Sequence, residues 1–380
     1  MSRLDDLIAE LCPDGVPFRK VKDVYTRLKG TPITAGKMKE IENPSGNIRV
    51  FAGGKTVIDA MESDIPNANI TRVPAVLVQS RGIIDAVFYD KPFTFKNEMW
   101  AYTHKETVSV KYLYYVFKNN IQIFRDAASG MGSLPQISLP VTEEFEIPVP
   151  PLLVQCEIVR ILDNFTELTA ELTAELSARK RQYEYYRGNL FEFGDSVAYK
   201  TLPDISVNCD RQRKPVTKGD REAGSYPYYG ASGIVDYVAD YIFDGDYLLV
   251  SEDGANLLAR VTPIAFSIMG KSWVNNHAHV LQFDTYEMRR FVEIYLNSID
   301  LGKFVSGAAQ PKLNQENLNK IPIPMPSFDV IKRTVDTLDR FDALCNDITT
   351  GLPAEIVARQ KQYEYYRDKL LTFKNVAEVS

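Results

Sequence analysis

The sequence predicts an α+β protein: two pseudo-symmetric mixed α/β globules separated by two long antiparallel helices that form a coiled-coil spacer. Three observations predict it. RKRQYEYYR at residues 179–187 returns as RQKQYEYYR at residues 359–367. The blocks ahead of each copy keep the same order along the chain. Each copy ends in a long run whose apolar residues recur at alternating steps of three and four, the spacing of a coiled coil.

The order of blocks is that of a tandem duplication. VPFRKVKDV (16–24) matches VAYKTLPDI (197–205), TPIT (31–34) matches KPVT (214–217), and GGKTVID (53–59) matches GASGIVD (230–236). SGMGSLPQIS (129–138) then matches SGAAQPKLN (306–314), IPVPP (147–151) matches IPIPMP (321–326), and RILDNF (160–165) matches DTLDRF (336–341). A chain of 380 residues is also longer than one core comfortably serves. The expected division is a globule at 1–150, a spacer helix at 151–193, a globule at 194–326 and a second spacer helix at 327–380.

Within each globule the elements follow from local pattern. The start, MSRLDDLIAELCPDG, alternates acids with leucines and reads as an amphipathic helix over 4–11. It lacks the basic start and apolar centre of a secretion signal. VPAVLVQ (73–79), AVFYD (86–90), DYLLVS (246–251) and RVTPIAF (260–266) read as strands. VKYLYYVFKNN (110–120) and MRRFVEIYLNS (288–298) read as helices. Pro148, Pro150 and Pro151 end the first globule.

The first spacer helix carries its stripe at Ile158, Ile161, Phe165, Leu168, Leu172, Leu176, Tyr183, Tyr186 and Leu190, with a stutter at Leu172–Leu176. A helix of about 39 residues reaches roughly 58 Å, so its stripe needs a mate. The second stripe is Ile331, Thr334, Leu338, Phe341, Leu344, Ile348, Ile356, Tyr363, Tyr366 and Leu370, interrupted by Thr350-Gly351-Leu352-Pro353. Gly351 can end one helix and Pro353 can open the next, so a break is expected there. Chain direction makes the pair antiparallel, with globules at opposite ends. The N-terminal helix is expected near the C-terminus, completing the second copy. Tyr183, Tyr185, Tyr186, Tyr363, Tyr365 and Tyr366 are either coiled-coil core with hydroxyls at the rim or a partner-docking surface.

Catalytic signatures are missing. GGKT lacks the glycine that a phosphate loop needs five positions before Gly54, where Arg49 stands, and reads as a turn. NNHAH (275–279) offers two histidines without a third ligand, against NEMW (97–100) in the other copy. Glu252-Asp253 is answered by Ser80-Arg81 in the first copy, so a catalytic carboxylate pair is not expected; it looks like a loop that varies in what it reads. Cys12, Cys156, Cys209 and Cys345 are scattered, which suits a reducing cytoplasm and no metal site. The longest apolar runs are far too short to cross a membrane.

Recognition is what remains. Candidate DNA-binding residues are Lys29, Lys37, Lys39, Arg49, Lys55, Arg81 and Lys96 in the first copy, and Arg211, Arg213, Lys214, Lys218, Lys271, Asn275 and Asn276 in the second. Cations neutralise phosphates, and arginine or asparagine pairs with base edges. Most single members would serve equally as solvated surface. The net charge of −6 argues mildly against nucleic acid unless local clusters override it.

CPDGV (12–16), the IPVPP and IPIPMP junctions, AELSARKRQYEYYR (174–187) and GLPAEIVARQKQYEYYRDKLLTF (351–373) together make the chain resemble the specificity subunit of type I restriction–modification systems. The resemblance spans the whole chain and is strongest in the helices. It implies that each globule is a target-recognition domain reading half of a bipartite site in double-stranded DNA, and that the spacer sets the gap. It also implies two methyltransferase (M) subunits that methylate adenine with S-adenosylmethionine, and restriction (R) subunits driven by ATP with Mg. The chain itself would be non-catalytic, bind none of these cofactors, and belong to a type I deoxyribonuclease and DNA methylation complex. The rival readings are a coiled-coil scaffold that binds only proteins, and a stand-alone nucleic-acid enzyme.

Overall fold

The computed structural model describes residues 3–129, 134–194, 197–307 and 310–378. The matched stretches at 129–138 and 306–314 therefore lie partly outside the described residues. The chain divides into two compact units, Met1–Leu172 with Ile356–Ser380, and Thr173–Glu355.

Each unit is organised around one strand with no polar face. In the first unit Ala75–Gln79 is buried along its whole length. Alternate side chains of a strand point to opposite sides. Val76 and Val78 enter the core shared with Leu113 and Val116 of the helix Thr107–Asn119. Ala75 and Leu77 enter a second cluster with Phe51, Phe93 and Phe95. Covering both faces requires a continuous apolar run rather than an alternating one, which is what AVLVQ supplies. Fully burying one such valine or leucine contributes about 1.5–3 kcal/mol. In the second unit Tyr247–Ser251 has the same role. Leu248 and Val250 meet Val292 and Leu296 of the helix Tyr286–Ser298, and Tyr247 and Leu249 meet Phe243, Val274 and Val280.

The sheets repeat in strand order, with one further strand, Phe243–Asp244, in the second unit's hairpin sheet. The first unit has an antiparallel sheet in the order Thr26–Leu28, Trp100–Thr103, Ala75–Gln79, Asp85–Tyr89. The second has Val207–Asn208, Ala278–Gln282, Tyr247–Ser251, Ala265–Ile268. Beside the first sheet the hairpin Ile48–Phe51/Val57–Ala60 pairs in parallel with Phe93–Phe95. The hairpin Ala223–Gly230/Gly233–Val238 likewise pairs in parallel with Lys271–Val274. The duplication read from the sequence is thus a duplication of topology.

The helix Leu152–Asn189 has 38 residues. Its first part, with Val154, Ile158 and Leu162 buried, belongs to the first unit's core, and its remainder belongs to the second unit. The expected stripe from Phe165 to Leu190 is half-buried at each position. Each unit pairs a helix from one copy with a helix from the other. In the first unit Tyr366 stacks on Phe165, with ring centroids 5.5 Å apart and planes at 23°, while Leu370 and Leu371 reach the cluster holding Ile158. In the second unit Phe191 packs near Ile331, Tyr186 lies 5.5 Å from Phe341, and Lys180 comes beside Cys345. One series falls as the other rises, so the segments run antiparallel.

The structure corrects three expectations. First, the second spacer breaks as expected into two helices, Phe328–Asn346 and Leu352–Leu370, but the stripe fails where the first one ends. Cys345 is buried in place of Leu344, and Ile348 is 81% exposed. Asp347 takes over from the helix: its carboxylate accepts from the Thr349 amide at 2.7 Å and the Thr350 hydroxyl at 2.6 Å, which holds it well below the usual carboxylate range. Pro353 then sits in the first turn, where its missing N–H costs nothing. Second, the helix Arg3–Leu11 does meet the C-terminal segment, but both pack on the first unit. Leu4 and Leu371 share its core, and the Val16 amide donates to the Lys374 carbonyl at 2.9 Å. Third, residues 260–264 are not strand. Arg260 takes a left-handed φ of 52° and Pro263 has no N–H to offer a ladder. The Asn256 side chain instead ties down Thr262, accepting from its amide at 3.0 Å.

Gly351 is set by close approach. A Cβ there would lie 2.6 Å from the carbonyl oxygens of both Ala343 and Asp347. Gly351→Ala should therefore destabilise the second unit by about 1–3 kcal/mol, read as a lowered urea midpoint with an unchanged slope.

Candidate nucleic-acid interface

In the first unit three loops converge on a cleft of about 650 Å³. Thr34 caps the short helix Ala35–Ile41, its hydroxyl accepting from the Lys37 amide at 3.2 Å, and that helix brings Lys39 to the rim. The GGKT stretch is the tip of the hairpin Ile48–Phe51/Val57–Ala60, a turn as expected. Gly54 has φ +73° and donates to the Arg81 carbonyl at 3.0 Å, which sets Lys55 beside Arg81. The Lys96 amide donates to the Phe51 carbonyl at 3.0 Å. Lys39, Lys55, Arg81 and Lys96 thereby line one cleft against two carboxylates, Glu42 and Glu98, so the site is net positive. Lys96 pairs with Glu98 at 2.8 Å. The other three cations have no carboxylate partner among the described residues.

The remaining first-copy candidates separate. Lys29 is exposed and lines a neighbouring cleft that shares Glu98. Lys37 pairs with Glu40 at 2.7 Å. Arg49 is clamped by Asp59 in two bonds of 2.9 and 3.0 Å; that bond raises the guanidinium pKa and lowers the carboxyl, and Arg49 serves the hairpin.

In the second unit Arg211, Lys214, Lys218 and Asn276 are exposed. Lys214 borders a cleft of about 400 Å³ with Arg221 and Trp273, and the indole N–H donates to the Lys214 carbonyl at 2.6 Å. Lys271 lies over the Tyr241 ring at 4.5 Å, and a hydrogen bond with that phenol raises its pKa. Two candidates face inward. Asn275 is buried and its side-chain oxygen accepts from the His277 amide at 2.8 Å. Arg213 donates to Glu252 at 2.7 Å and to the Ala278 carbonyl at 2.8 Å, and pairs with Asp210.

Arg213 belongs to a buried polar cluster. His279, 1% exposed, meets Asp210 through Nδ1 at 2.6 Å and the Leu313 carbonyl through Nε2 at 2.8 Å. Burial pushes Asp210 and Glu252 up, but the bonds and charges of His279, Arg213 and, for Glu252, Lys312 outweigh it and hold both carboxyls below their usual range. The histidines of NNHAH thus have ordinary partners: His277 Nδ1 lies 2.8 Å from Asp253. Among the described residues no cluster suits a metal ion, and no helix is long and apolar enough to cross a membrane.

The six tyrosines divide by face. Tyr183, Tyr186, Tyr363 and Tyr366 pack: Arg187 and Arg367 lie over Tyr183 and Tyr363 at 5.9 and 5.6 Å, and Tyr186 and Tyr366 meet the phenylalanines named above. Tyr185 and Tyr365 are 65% and 64% exposed. Sequence reasoning passed over Glu98, Asp253, His277 and Lys312 as site residues. The signal for Glu98 and His277 lies in the matched stretches 97–100 and 275–279, and that for Asp253 in the loop that varies in what it reads.

The family model described as "Type I restriction modification DNA specificity domain" matches twice, at residues 13–179 and 195–358. The chain belongs to this specificity family. It is 34% identical over 302 residues to a type I restriction enzyme specificity subunit of Escherichia coli, covering 71% of this chain and 72% of that one. A Haemophilus influenzae protein provisionally named a type I restriction enzyme specificity subunit is 37% identical over 190 residues, 49% of each chain; the matched stretch spans about half that relative's length. Among solved structures, the S subunit of a type I restriction–modification system from M. genitalium is similar with a TM-score of 0.62 and 17% identity, over 94% of this chain and 96% of that one. That likeness shows that the fold is shared.

Two classes of cation stand apart within this specificity-family fold. Arg213→Ala leaves the largely buried Asp210 and Glu252 with only His279 and Lys312 as side-chain partners and should cost about 1–3 kcal/mol, whereas Lys55→Ala and Arg81→Ala should stay within about 0.5 kcal/mol, both read by urea titration. Because Asp210 and Glu252 are depressed in the fold, their contribution is complete above the ordinary carboxylate range, near pH 4. It is lost as pH falls through their lower native values. Acid titration of the wild type should show that loss, and Arg213→Ala should shrink it.

Proposed function

We propose that this chain is the sequence-reading subunit of a type I restriction–modification assembly, each unit recognising one half of a bipartite DNA site. One observation carries the reading: the two stretches that match the specificity-domain model fall on two units that share their principal strand order, each with unpaired exposed cations at its surface. The first unit's cleft supplies positive charge to grip phosphate, with Arg81 available for a base edge. The net charge of −6 is tolerable if partner subunits share the grip.

In this reading the chain contributes recognition and no bond-making. Methyltransferase subunits transfer a methyl group to adenine from S-adenosylmethionine, and restriction subunits use ATP and Mg. Tyr185 and Tyr365, equivalent by the repeat and both exposed, are the docking candidates, since an amphipathic ring suits a partner surface. A protein-only scaffold would leave the cationic cleft without a task and predicts no salt-sensitive DNA affinity.

Expression with the methyltransferase partner, followed by mapping of methylated adenines by sequencing, should give one two-part motif. DNA affinity should fall steeply with salt. Exchange of residues 12–147 for another globule should change one half of the motif only; a change in both halves would overturn the modular reading. Tyr185→Ala and Tyr365→Ala should weaken co-purification of the partner without changing the melt. Tyr186→Ala or Tyr366→Ala should instead cost about 1–3 kcal/mol of stability.

A further inference from the structure

The two units hold the same backbone frame at the same place and put opposite charge on it. In the first unit the Gly82 amide donates to the Pro135 carbonyl at 2.8 Å, the Ile137 amide to the Ser80 carbonyl at 2.9 Å, and Arg81 bridges to Gln136. In the second the Gly254 amide donates to the Pro311 carbonyl at 3.1 Å, the Leu313 amide to the Glu252 carbonyl at 2.7 Å, and Asp253 bridges to Lys312. Both glycines have positive φ, +78° and +108°. The neighbouring position also corresponds. Val78 pairs with Trp100 as Val250 pairs with His279, which places Glu98 and His277 equivalently; the Ser80 side-chain hydroxyl donates to the Glu98 carbonyl at 2.6 Å, and the Glu252 backbone amide donates to the His277 carbonyl at 2.9 Å. Arg81 beside Glu98 in one unit therefore stands where Asp253 beside His277 stands in the other.

The frame is held by bonds to backbone carbonyls, so folding does not dictate which charge sits at its crest. The scaffold is repeated and the charge at its crest is reversed, exposed in Arg81 and half-buried in Asp253, which is the signature of a position that selects different ligands. Arg81 is exposed, and no carboxylate holds its guanidinium among the described residues. A free guanidinium fork matches the O6 and N7 acceptors of guanine in the major groove. A carboxylate only accepts, so it suits the exocyclic amine of cytosine or adenine. Asp253 would be repelled by phosphate if bare, but His277 lies against it at 2.8 Å and Lys312 beside it pairs with Glu252 at 3.2 Å.

We propose that Arg81 and Asp253 are the specificity-determining side chains of their units: Arg81 selects guanine in one half-site, and Asp253 selects an amino-bearing base in the other. The proposal rests on the DNA-reading function above.

The test is to map the methylated motif of the complete complex for wild type, Arg81→Gln and Asp253→Asn, and to select bound sequences from a random DNA pool at low salt in case methylation is lost. Arg81→Gln should weaken preference for guanine at one position about tenfold or more and leave the other half intact. Arg81→Lys, which keeps the charge and loses the fork, should relax the same position. Asp253→Asn should alter one position of the opposite half, and the wild-type base there identifies cytosine or adenine. Lys55→Ala should lower affinity for all sequences alike. Unchanged letters in Arg81→Gln and Asp253→Asn beside a two-part wild-type motif would overturn this assignment alone. A wild type with no sequence preference would overturn the function itself.

Discussion

The structure depends on burying one apolar strand from both sides in each unit. Val76 and Val78 point one way and Ala75 and Leu77 the other, as Leu248 and Val250 oppose Tyr247 and Leu249. A one-residue slip would exchange every side chain between the two clusters, so the register is strongly fixed. The end of that strand is then fixed as well. It leads directly into Ser80-Arg81-Gly82 in one unit, and into Glu252-Asp253-Gly254 in the other. A rigid core element thus delivers a loop to the surface, which is how recognition residues are usually carried.

The helices apply the same logic elsewhere in each unit. Phe165 and Phe341 each receive a tyrosine from the opposite copy's YEYYR segment. The aromatic pairs make each unit incomplete without a helix from the other copy, because Tyr366 belongs to the second repeat and Tyr186 to the first. The repeated motif therefore has two kinds of tyrosine for a geometric reason. With about 3.6 residues per turn, Tyr183 and Tyr186 share a face and Tyr185 does not.

Charge has two occupations that the sequence does not distinguish. Arg49 and Arg213 are as basic as Arg81, but Asp59 claims the first and Asp210 with Glu252 the second. A cation held by a carboxylate serves the fold, and an unpaired exposed cation is available to a partner. His277 and His279 divide in the same way, one at the rim and one in the interior.

Much was legible in the chain itself. The duplication, the antiparallel pairing of helices, the break at Gly351 and the fully apolar central strands follow from spacing and from local chemistry, because periodicity and turn residues act over a few positions. The phase of the last turn before the break departs from the expected stripe: Cys345, seven residues after the buried Leu338 on the same helical face, turns inward in place of Leu344. The failure of 260–264 as a strand was not legible, nor was the docking of the N-terminal helix on the first unit. Which cations stand free was decided only by folding, since their partners lie tens of residues away, as Glu252 does from Arg213. The sequence by itself determined two like units with paired helices; the tertiary structure alone decided which charges remain for a partner, because that depends on which carboxylates the fold brings within reach.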